Sequence, residues 1–159
     1  MPTPSWPRRE AFRSIARAGA DLVLGHHPHV PQGIERMGRS LIAYSLGNCV
    51  FTAHTCEYMK GNGPHTGHSF VLLAELSRDG VGDFRRAPFE IRPVPEQRPH
   101  LLEGSAGQAL MEYFSDLDRL VLDDAFVRRT WREVARRHLK LYIDRSEEHT
   151  SELQSRQVI

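Results

Sequence analysis

The sequence predicts a mixed α/β fold (α+β) that ends in two C-terminal helices, and three observations support this class. Leu22-Val23-Leu24 is a short, wholly apolar run, which is typical of a strand inside a sheet that is covered on both faces. Strand-like runs flank a turn at Gly38-Arg39 and another at Asp79-Gly80, and this pattern predicts two hairpins. From residue 105 to residue 144, apolar residues recur at helical spacing instead.

The elements before the C-terminal helices follow from turn residues and apolar spacing. Apolar residues opposite arginines predict a short amphipathic helix over residues 8–18, with Pro7 suited to its first turn. Residues 52–68 are polar and glycine-rich, so we predict a loop there. The prolines between positions 93 and 99 predict an irregular crossing. The predicted strands cover residues 22–24, 33–36, 40–46, 69–77 and 81–94, the last interrupted at Pro88.

The last two predicted elements are helices over residues 105–122 and 123–144. Each carries an apolar stripe at the 3.6-residue period, which predicts the face that packs against the rest of the domain. The stripe of the first helix consists of Leu110, Tyr113, Phe114, Leu117 and Val121. The stripe of the second consists of Val127, Trp131, Val134 and Leu141.

Composition is that of an ordinary globular domain. The chain has 159 residues, enough for one domain at most, and its formal net charge of +1 gives no global field that would attract nucleic acid. No apolar run approaches the roughly 20 residues that span a bilayer, so we expect no membrane segment in this chain. Cys49 and Cys56 form neither a CxxC redox motif nor a disulfide framework.

The pentapeptide Gly25-His26-His27-Pro28-His29 follows the first predicted strand directly, and we predict that it is part of a metal site. Imidazole is the commonest neutral metal ligand, and sites in open α/β sheets lie at the carboxyl ends of strands. Pro28 favours an extended His27, so His27 and His29 are expected to converge as ligands while His26 points the other way, as a supporting or core residue. Gly25 is expected to let the chain turn without a Cβ in the way.

Two imidazoles do not complete a metal site, and the rest of the sequence offers no obvious third ligand. Asp21 lies at the wrong end of the strand, and the spacing of Glu35 and Glu57 does not support a role. His54, His65 and His68 lie in the predicted loop, where each is expected to be solvated but could approach the site. The competing interpretation of the pentapeptide is a histidine cluster with hydrogen-bonding roles alone.

Residues 19–30 read GADLVLGHHPHV and are followed by Gln32-Gly-Ile-Glu35 and by Ile42-Ala-Tyr-Ser-Leu-Gly-Asn48. This order and spacing resembles the C-terminal part of the CapA family, whose members are associated with poly-γ-glutamate capsule synthesis and share a fold with calcineurin-like metallophosphoesterases. The resemblance is specific from Gly19 to Phe51, weakens towards the helix near Leu110, and covers most of the chain. It implies that residues 1–100 are the C-terminal part of a layered sheet sandwich and residues 101–144 a helical extension.

The resemblance also implies a site. His27 and His29 match the H-x-H motif with which such folds close a dinuclear centre of divalent ions (Mn, Fe or Zn). Asn48 is implied to line the site together with Gly25 and His26. Cys49 stands where the family usually has an aromatic residue, and we expect that difference to affect packing. The early Gly-Asp and Asn-containing motifs of the family have no counterpart here, so the remaining ligands are expected upstream of Met1.

Three functional hypotheses follow. The first is a metal-dependent hydrolase of a phosphoester or related bond in the complete protein, for which no catalytic acid can be named. The second is a non-hydrolytic component of capsule synthesis or export that binds an anionic polymer. The third is that this fragment is inactive alone, poorly soluble and weak in metal binding, because its sheet would expose unpaired edges. The family resemblance suggests a location at the cell envelope or a membrane.

Residues 145–159 differ from the rest of the chain. Their sequence lacks apolar periodicity and resembles the conceptual translation of a common sequencing adapter. We interpret them as an artefactual tail rather than as a natural polar one.

Overall fold

The computed structural model describes residues 1–51, 59 and 63–156, and the side chains of these as far as residue 143. The described part mixes helices and strands, which confirms the predicted α+β class. In chain order the elements are α1 (Trp6–Arg17), β1 (Leu22–Leu24), β2 (Ile34–Met37), β3 (Ser40–Ala43), a 3₁₀ turn (Pro64–Gly67), β4 (His68–Ser77), β5 (Gly80–Ile91), β6 (Pro99–Leu101), α2 (Gly104–Leu122) and α3 (Asp124–Arg156).

The strands form two three-stranded sheets. In the first sheet the order is β1-β3-β2, with β1 parallel to β3 and β2 antiparallel to it across the predicted turn at Gly38-Arg39. In the second sheet the order is β4-β5-β6, and all pairs are antiparallel. A bridge between Gly47 and Ser69 joins the end of the first sheet to the start of the second.

The central strand β3 is buried on both faces. Leu41 and Ala43 lie in one apolar cluster with residues of β4 and α2, whereas Ile42 lies in a second cluster with residues of β1 and α1. Since side chains alternate along a strand, a four-residue strand can contribute to both clusters only if both sheet faces are covered. This strand therefore carries the doubly buried character that the sequence analysis assigned to β1.

The prediction that β1 is covered on both faces is wrong within the described part of the chain. β1 is an edge strand of its sheet, paired with β3 alone, and the side chain of Leu24 is 49% exposed. The neighbouring Val71 on β4 is 48% exposed, so apolar surface continues from one sheet to the other. An unpaired strand beside exposed apolar side chains is a template for association with other chains.

Two expectations for the second sheet are corrected. Pro88 does not interrupt β5, because it lies in register opposite Phe70 and its carbonyl still accepts a hydrogen bond from the Leu102 amide (2.8 Å). The predicted irregular crossing contains the short strand β6. Its position follows from a turn that the Arg92 amide closes by donating to the carbonyl of Arg98 (3.1 Å), which returns the chain alongside β5.

The two C-terminal helices form as predicted, with one difference in length. On α2 the predicted stripe is buried at every position except Tyr113, which is half-buried. On α3, Val127 is fully buried but Leu141 is 54% exposed, so the second stripe packs only near the start of its helix. α3 continues to Arg156, past the predicted end at residue 144, through residues such as Glu, Leu and Gln that favour helix.

Arg9 fastens α1 to the junction of α2 and α3. Its side chain is fully buried, and Nη1 donates to the carbonyl oxygen of Val121 (2.6 Å). Nη2 pairs with the carboxylate of Asp124, and the guanidinium lies 4.5 Å from the ring centre of Trp6. These contacts fix the helix that precedes the histidine loop.

Among the described residues, no helix has the length and apolar character needed to cross a bilayer.

Candidate functional site

The parallel pairing of β1 and β3 determines where the site lies. Because the two strands run in the same direction, the segments that follow them leave the sheet at the same edge. The Gly25 amide donates to the carbonyl of Ala43 (2.8 Å), and the Leu46 amide donates to the carbonyl of Gly25 (3.1 Å). The histidine loop (Gly25–His29) and the segment ending at Asn48 therefore run side by side.

Gly25 is required by crowding at this edge. A Cβ on Gly25 would lie 2.1 Å from the backbone oxygen of Tyr44 and 2.6 Å from a ring carbon of Phe12. The Phe12 ring is itself stacked on Tyr44, with the ring centres 5.5 Å apart. The absence of a side chain at Gly25 thus lets α1 and the end of β3 close on the base of the histidine loop.

The backbone of the histidine loop is not extended, contrary to the prediction from Pro28. His27 has φ = 95° and His29 has φ = 60°, conformations that non-glycine residues rarely adopt. The loop is anchored just beyond these residues, because Ser45 Oγ donates to the carbonyl of Val30 (2.8 Å). An extended loop could not return to β3 within so few residues. The local preference before proline is therefore overridden by tertiary anchoring.

The two proposed ligand rings lie near each other despite this unexpected backbone. The ring centres of His27 and His29 are 6.1 Å apart, with the ring planes inclined by 51°. His26 is exposed and lines a different groove from His27, so it is not the core residue that the sequence analysis allowed for. Its carbonyl accepts a hydrogen bond from Arg8, which holds the start of the loop against α1.

Asn48 fixes the orientation and tautomer of the His29 ring. Asn48 is 5% exposed, and its Nδ2 donates to the carbonyl oxygens of His29 (3.2 Å) and Thr66 (3.0 Å). These two acceptors assign the amide orientation, so Oδ1 faces His29 Nδ1 at 2.9 Å and accepts a hydrogen bond from the Nδ1–H group. The lone pair of the His29 ring consequently lies on Nε2.

The carboxylates considered in the sequence analysis are engaged elsewhere. Asp21 pairs with Arg39 (2.7 Å) at the opposite end of β1. Glu35 is buried, pairs with Arg13 (3.0 Å) and accepts a hydrogen bond from the hydroxyl of Tyr44 (2.6 Å). Burial and the Glu35 carboxylate raise the pKa of the Tyr44 hydroxyl. His54, Cys56 and Glu57 lie outside the described residues.

His65 and His68 are half-buried, whereas the sequence analysis expected them to be solvated. They lie close in sequence to Thr66, whose carbonyl accepts a hydrogen bond from Asn48 Nδ2 (3.0 Å). The His65 ring stacks on Tyr113 with the ring centres 3.8 Å apart, and the His65 and His68 rings are 5.3 Å apart. Burial, and secondarily the charge of His68, lower the pKa of His65.

The lowered pKa of His65 predicts a loss of stability in mild acid. The unfolded chain binds a proton on this residue at about pH 6.5, whereas the folded chain resists protonation until a lower pH. The free energy of unfolding should therefore fall as the pH drops below about 6.5, down to the folded pKa. We expect His65→Phe, which retains an aromatic ring against Tyr113, to lose less stability between pH 7 and pH 5 than the wild type.

Urea unfolding at the two pH values measures this difference. His138→Gln serves as the matched control, because His138 is exposed on α3. An unchanged pH dependence in His65→Phe would show that His65 does not contribute to acid sensitivity.

The arrangement can supply two imidazoles and one orienting amide. Within the described ranges, no three side chains among His, Cys, Asp and Glu are close enough together to hold a metal ion. The sequence analysis singled out His27, His29 and Asn48, which the structure brings together, but it gave no role to Arg8 or Gln32, which lie beside the loop. Arg8 has no spacing signature that would have marked it, and Gln32 stood out only as part of the quoted family motif.

Known proteins are similar in sequence to the part of the chain that forms this edge of the sheet. Residues 2–53 match the family model described as "Bacterial capsule synthesis protein PGA_cap", and this segment contains α1, the histidine loop and Asn48. Over this segment the chain is similar to capsule synthesis proteins of that family.

Two curated CapA proteins are similar to the chain. One is the PGA biosynthesis protein CapA of Bacillus subtilis (strain 168), which is 34% identical over 101 residues, or 62% of this chain and 24% of that protein. The other is the capsule biosynthesis protein CapA of Bacillus anthracis, which is 50% identical over 46 residues, or 28% of this chain and 11% of that protein. The chain therefore spans a minor part of the length of the relatives that it matches.

Proposed function

We propose that His27 and His29 are ligands of a divalent metal centre with which the complete CapA-type protein cleaves a phosphoester or related bond. The observation that carries the proposal is the conformation of the loop. Two histidines occupy the positive-φ region, where a non-glycine residue costs about 1 to 3 kcal/mol. Such strain tends to persist where function requires the side chain, and both strained side chains here are metal-binding types.

The residues present fit a metal ion in two respects. Metal-bound histidines commonly donate their other ring N–H to an oxygen acceptor, and His29 donates Nδ1–H to Asn48 Oδ1 (2.9 Å). Imidazoles on one ion have ring centres roughly 5 to 6 Å apart, given metal–nitrogen bonds of about 2.0 to 2.1 Å. The separation of 6.1 Å between His27 and His29 requires little adjustment to meet that spacing.

The role of this chain would be to hold and orient the ions. Mn, Fe or Zn would supply Lewis-acid chemistry, by polarising the substrate and activating water. His27 and His29 would bind through imidazole nitrogen, and Asn48 would keep the His29 ring in its Nδ1–H tautomer. We expect this chain to be inactive alone, since its described residues bring together two imidazoles without a third ligand.

A second candidate function is non-hydrolytic binding of an anionic polymer during capsule synthesis or export. One observation favours it: Arg8, which is permanently charged, lines the same cavity as His27, where a negatively charged group could bind. The two candidates differ in whether bond cleavage depends on metal.

A phosphodiesterase assay of the complete protein with Mn²⁺ or Zn²⁺ distinguishes the two candidate functions. We expect metal-dependent activity that falls by at least about 100-fold in His27→Ala and in His29→Ala, because each variant loses a ligand. His138→Ala on the exposed face of α3 is the control. Activity that is indifferent to both loop substitutions would remove the metal role, and polymer binding without any hydrolysis would favour the second candidate.

A further inference from the structure

His65 and His68 form a second histidine pair, which shares no residue with the histidine loop. His65 lies in the 3₁₀ turn (Pro64–Gly67), and His68 is the first residue of β4. Their ring centres are 5.3 Å apart, and their ring planes are inclined by 52°. Imidazoles on one ion have ring centres roughly 5 to 6 Å apart, so this pair already has the spacing that a shared metal ion requires.

Each of these two rings has a buried nitrogen without a hydrogen-bond partner. Nδ1 of His65 and Nδ1 of His68 make no hydrogen bond in the described part of the chain. Buried polar atoms in folded proteins are normally satisfied, so an unsatisfied atom on each of two neighbouring rings points to a ligand. A metal ion is a ligand that both rings can share, because it accepts a lone pair from a nitrogen of each imidazole.

The surroundings hold the pair in place and keep His65 neutral. The His65 ring stacks on Tyr113, with the ring centres 3.8 Å apart. The turn between the two histidines is fastened by the hydrogen bond that Asn48 donates to the carbonyl of Thr66 (3.0 Å). Burial, and secondarily the charge of His68, lower the pKa of His65, so its ring is unprotonated at neutral pH. A neutral, preorganised imidazole binds a metal ion without first releasing a proton or losing mobility.

We propose that His65 and His68 together bind a divalent transition-metal ion of the class that favours imidazole, such as Zn²⁺. Imidazole nitrogens suit Zn²⁺, whereas Mg²⁺ and Ca²⁺ prefer oxygen ligands. In the described part of the chain, no third His, Cys, Asp or Glu side chain is close enough to join the pair. Glu90 lies opposite His68 on β5, but it pairs with Arg92 (3.6 Å). Water therefore completes the coordination.

The ion has a route to the pair and needs no residue of the histidine loop. His65 lines an open cavity of about 660 Å³ together with Tyr113 and His138, which gives a hydrated ion access. The inference does not rest on the proposed function, because neither His27 nor His29 takes part. An ion that ties the turn to the start of β4 stabilises the folded chain, since the unfolded chain does not hold the two rings together.

The test is a titration of the full, histidine-labelled chain with Zn²⁺ at neutral pH, followed by long-range ¹H–¹⁵N NMR. We expect the ring nitrogen signals of His65 and His68 to shift together, to the same end point. His65→Phe, which keeps a ring against Tyr113, and His68→Gln should each weaken Zn²⁺ binding at this pair by at least about tenfold. His100→Gln is the matched control and should leave it unchanged, because the His100 ring is already hydrogen-bonded to Glu96 (2.9 Å).

Three results would overturn the proposal. The first is a pair of ring signals that stay in place while those of other histidines shift. The second is a shift of one ring alone, which would show an adventitious contact with a single histidine. The third is a response to Mg²⁺ as large as the response to Zn²⁺, because Mg²⁺ binds through oxygen. Thermal unfolding verifies that each variant is folded, and the signals of the wild type decide the question if a variant is not.

The outcome is distinguishable from that of the proposed function. Ring signals are read residue by residue, so the Zn²⁺ affinity of this pair and that of the histidine loop are measured separately in one titration. The double variant His27→Ala/His29→Ala should still show the joint shift of His65 and His68. Signals that respond only at His27 and His29 would overturn the second site and leave the proposed function standing.

Discussion

Replacing His27 with glycine is expected to stabilise the chain and to remove most of its metal affinity. Glycine adopts φ = 95° without steric cost, so the substitution relieves about 1 to 3 kcal/mol of strain, offset by about 0.5 to 1 kcal/mol of lost chain entropy. A net gain of about 1 kcal/mol would raise Tm by about 2 to 4 °C in a chain of this size. Loss of one imidazole should weaken binding of Co²⁺ or Zn²⁺ by at least about 100-fold.

Two control variants separate strain from ligation. His27→Ala removes the imidazole without relieving the strain, so it should lose metal affinity and gain no stability. Gln97→Gly relieves a positive φ of 41° in a distant turn, so it should gain stability and keep metal affinity. Thermal unfolding and metal titration of the three variants give the comparison. A His27→Gly chain that is less stable than the wild type would contradict the assignment of strain to this residue.

Gly25→Ala is expected to destabilise the fold by at least about 3 kcal/mol. The new Cβ would stand 2.1 Å from the backbone oxygen of Tyr44, and backbone cannot move aside as a flexible side chain can. The clash also falls on the hydrogen bonds that Gly25 makes to Ala43 and Leu46. The predicted fall in Tm is about 6 to 12 °C.

Gly82→Ala on β5 is the matched control for this substitution. A Cβ there would meet its nearest neighbour, the Cβ of Glu75, at 3.6 Å, which is ordinary contact. Thermal unfolding followed by circular dichroism compares the two variants with the wild type. A Gly25→Ala chain that melts within about 2 °C of the control would show that the loop base is looser than the structure indicates.

Local chemistry made much of the fold predictable. The hairpin turns at Gly38-Arg39 and Asp79-Gly80 need only their own residues and the flanking strands, and both form as predicted. The buried stripe of α2 follows from a periodicity of the same local kind. β6 was not predicted, because a three-residue segment near prolines has no strand pattern of its own. It is a strand only because it pairs with β5, and composition does not reveal that pairing.

In the candidate site, too, the residue types could be predicted from the sequence, but the features set by tertiary contacts could not. His27 and His29 could be singled out from their types and spacing, whereas their backbone conformation could not, since it depends on anchoring to Ser45. The hydrogen bond between His29 and Asn48 forms because β3 pairs with β1. That strand pairing is a tertiary contact, which the local sequence does not predict. The burial of Gln32, and the absence of a hydrogen-bond partner for its Oε1 among the described residues, are known only from the fold.

The most direct test of the metal proposal is a measurement of the tautomer of the His29 ring and of its response to metal. Long-range ¹H–¹⁵N NMR of the histidine-labelled chain reports which ring nitrogen carries the proton and which one responds to Zn²⁺. We predict the Nδ1–H tautomer before metal is added, and a shift at Nε2 of His29 together with a shift at His27 as Zn²⁺ is titrated. An Nε2–H tautomer, or ring signals of both residues that stay unchanged while other histidines respond, would contradict the account.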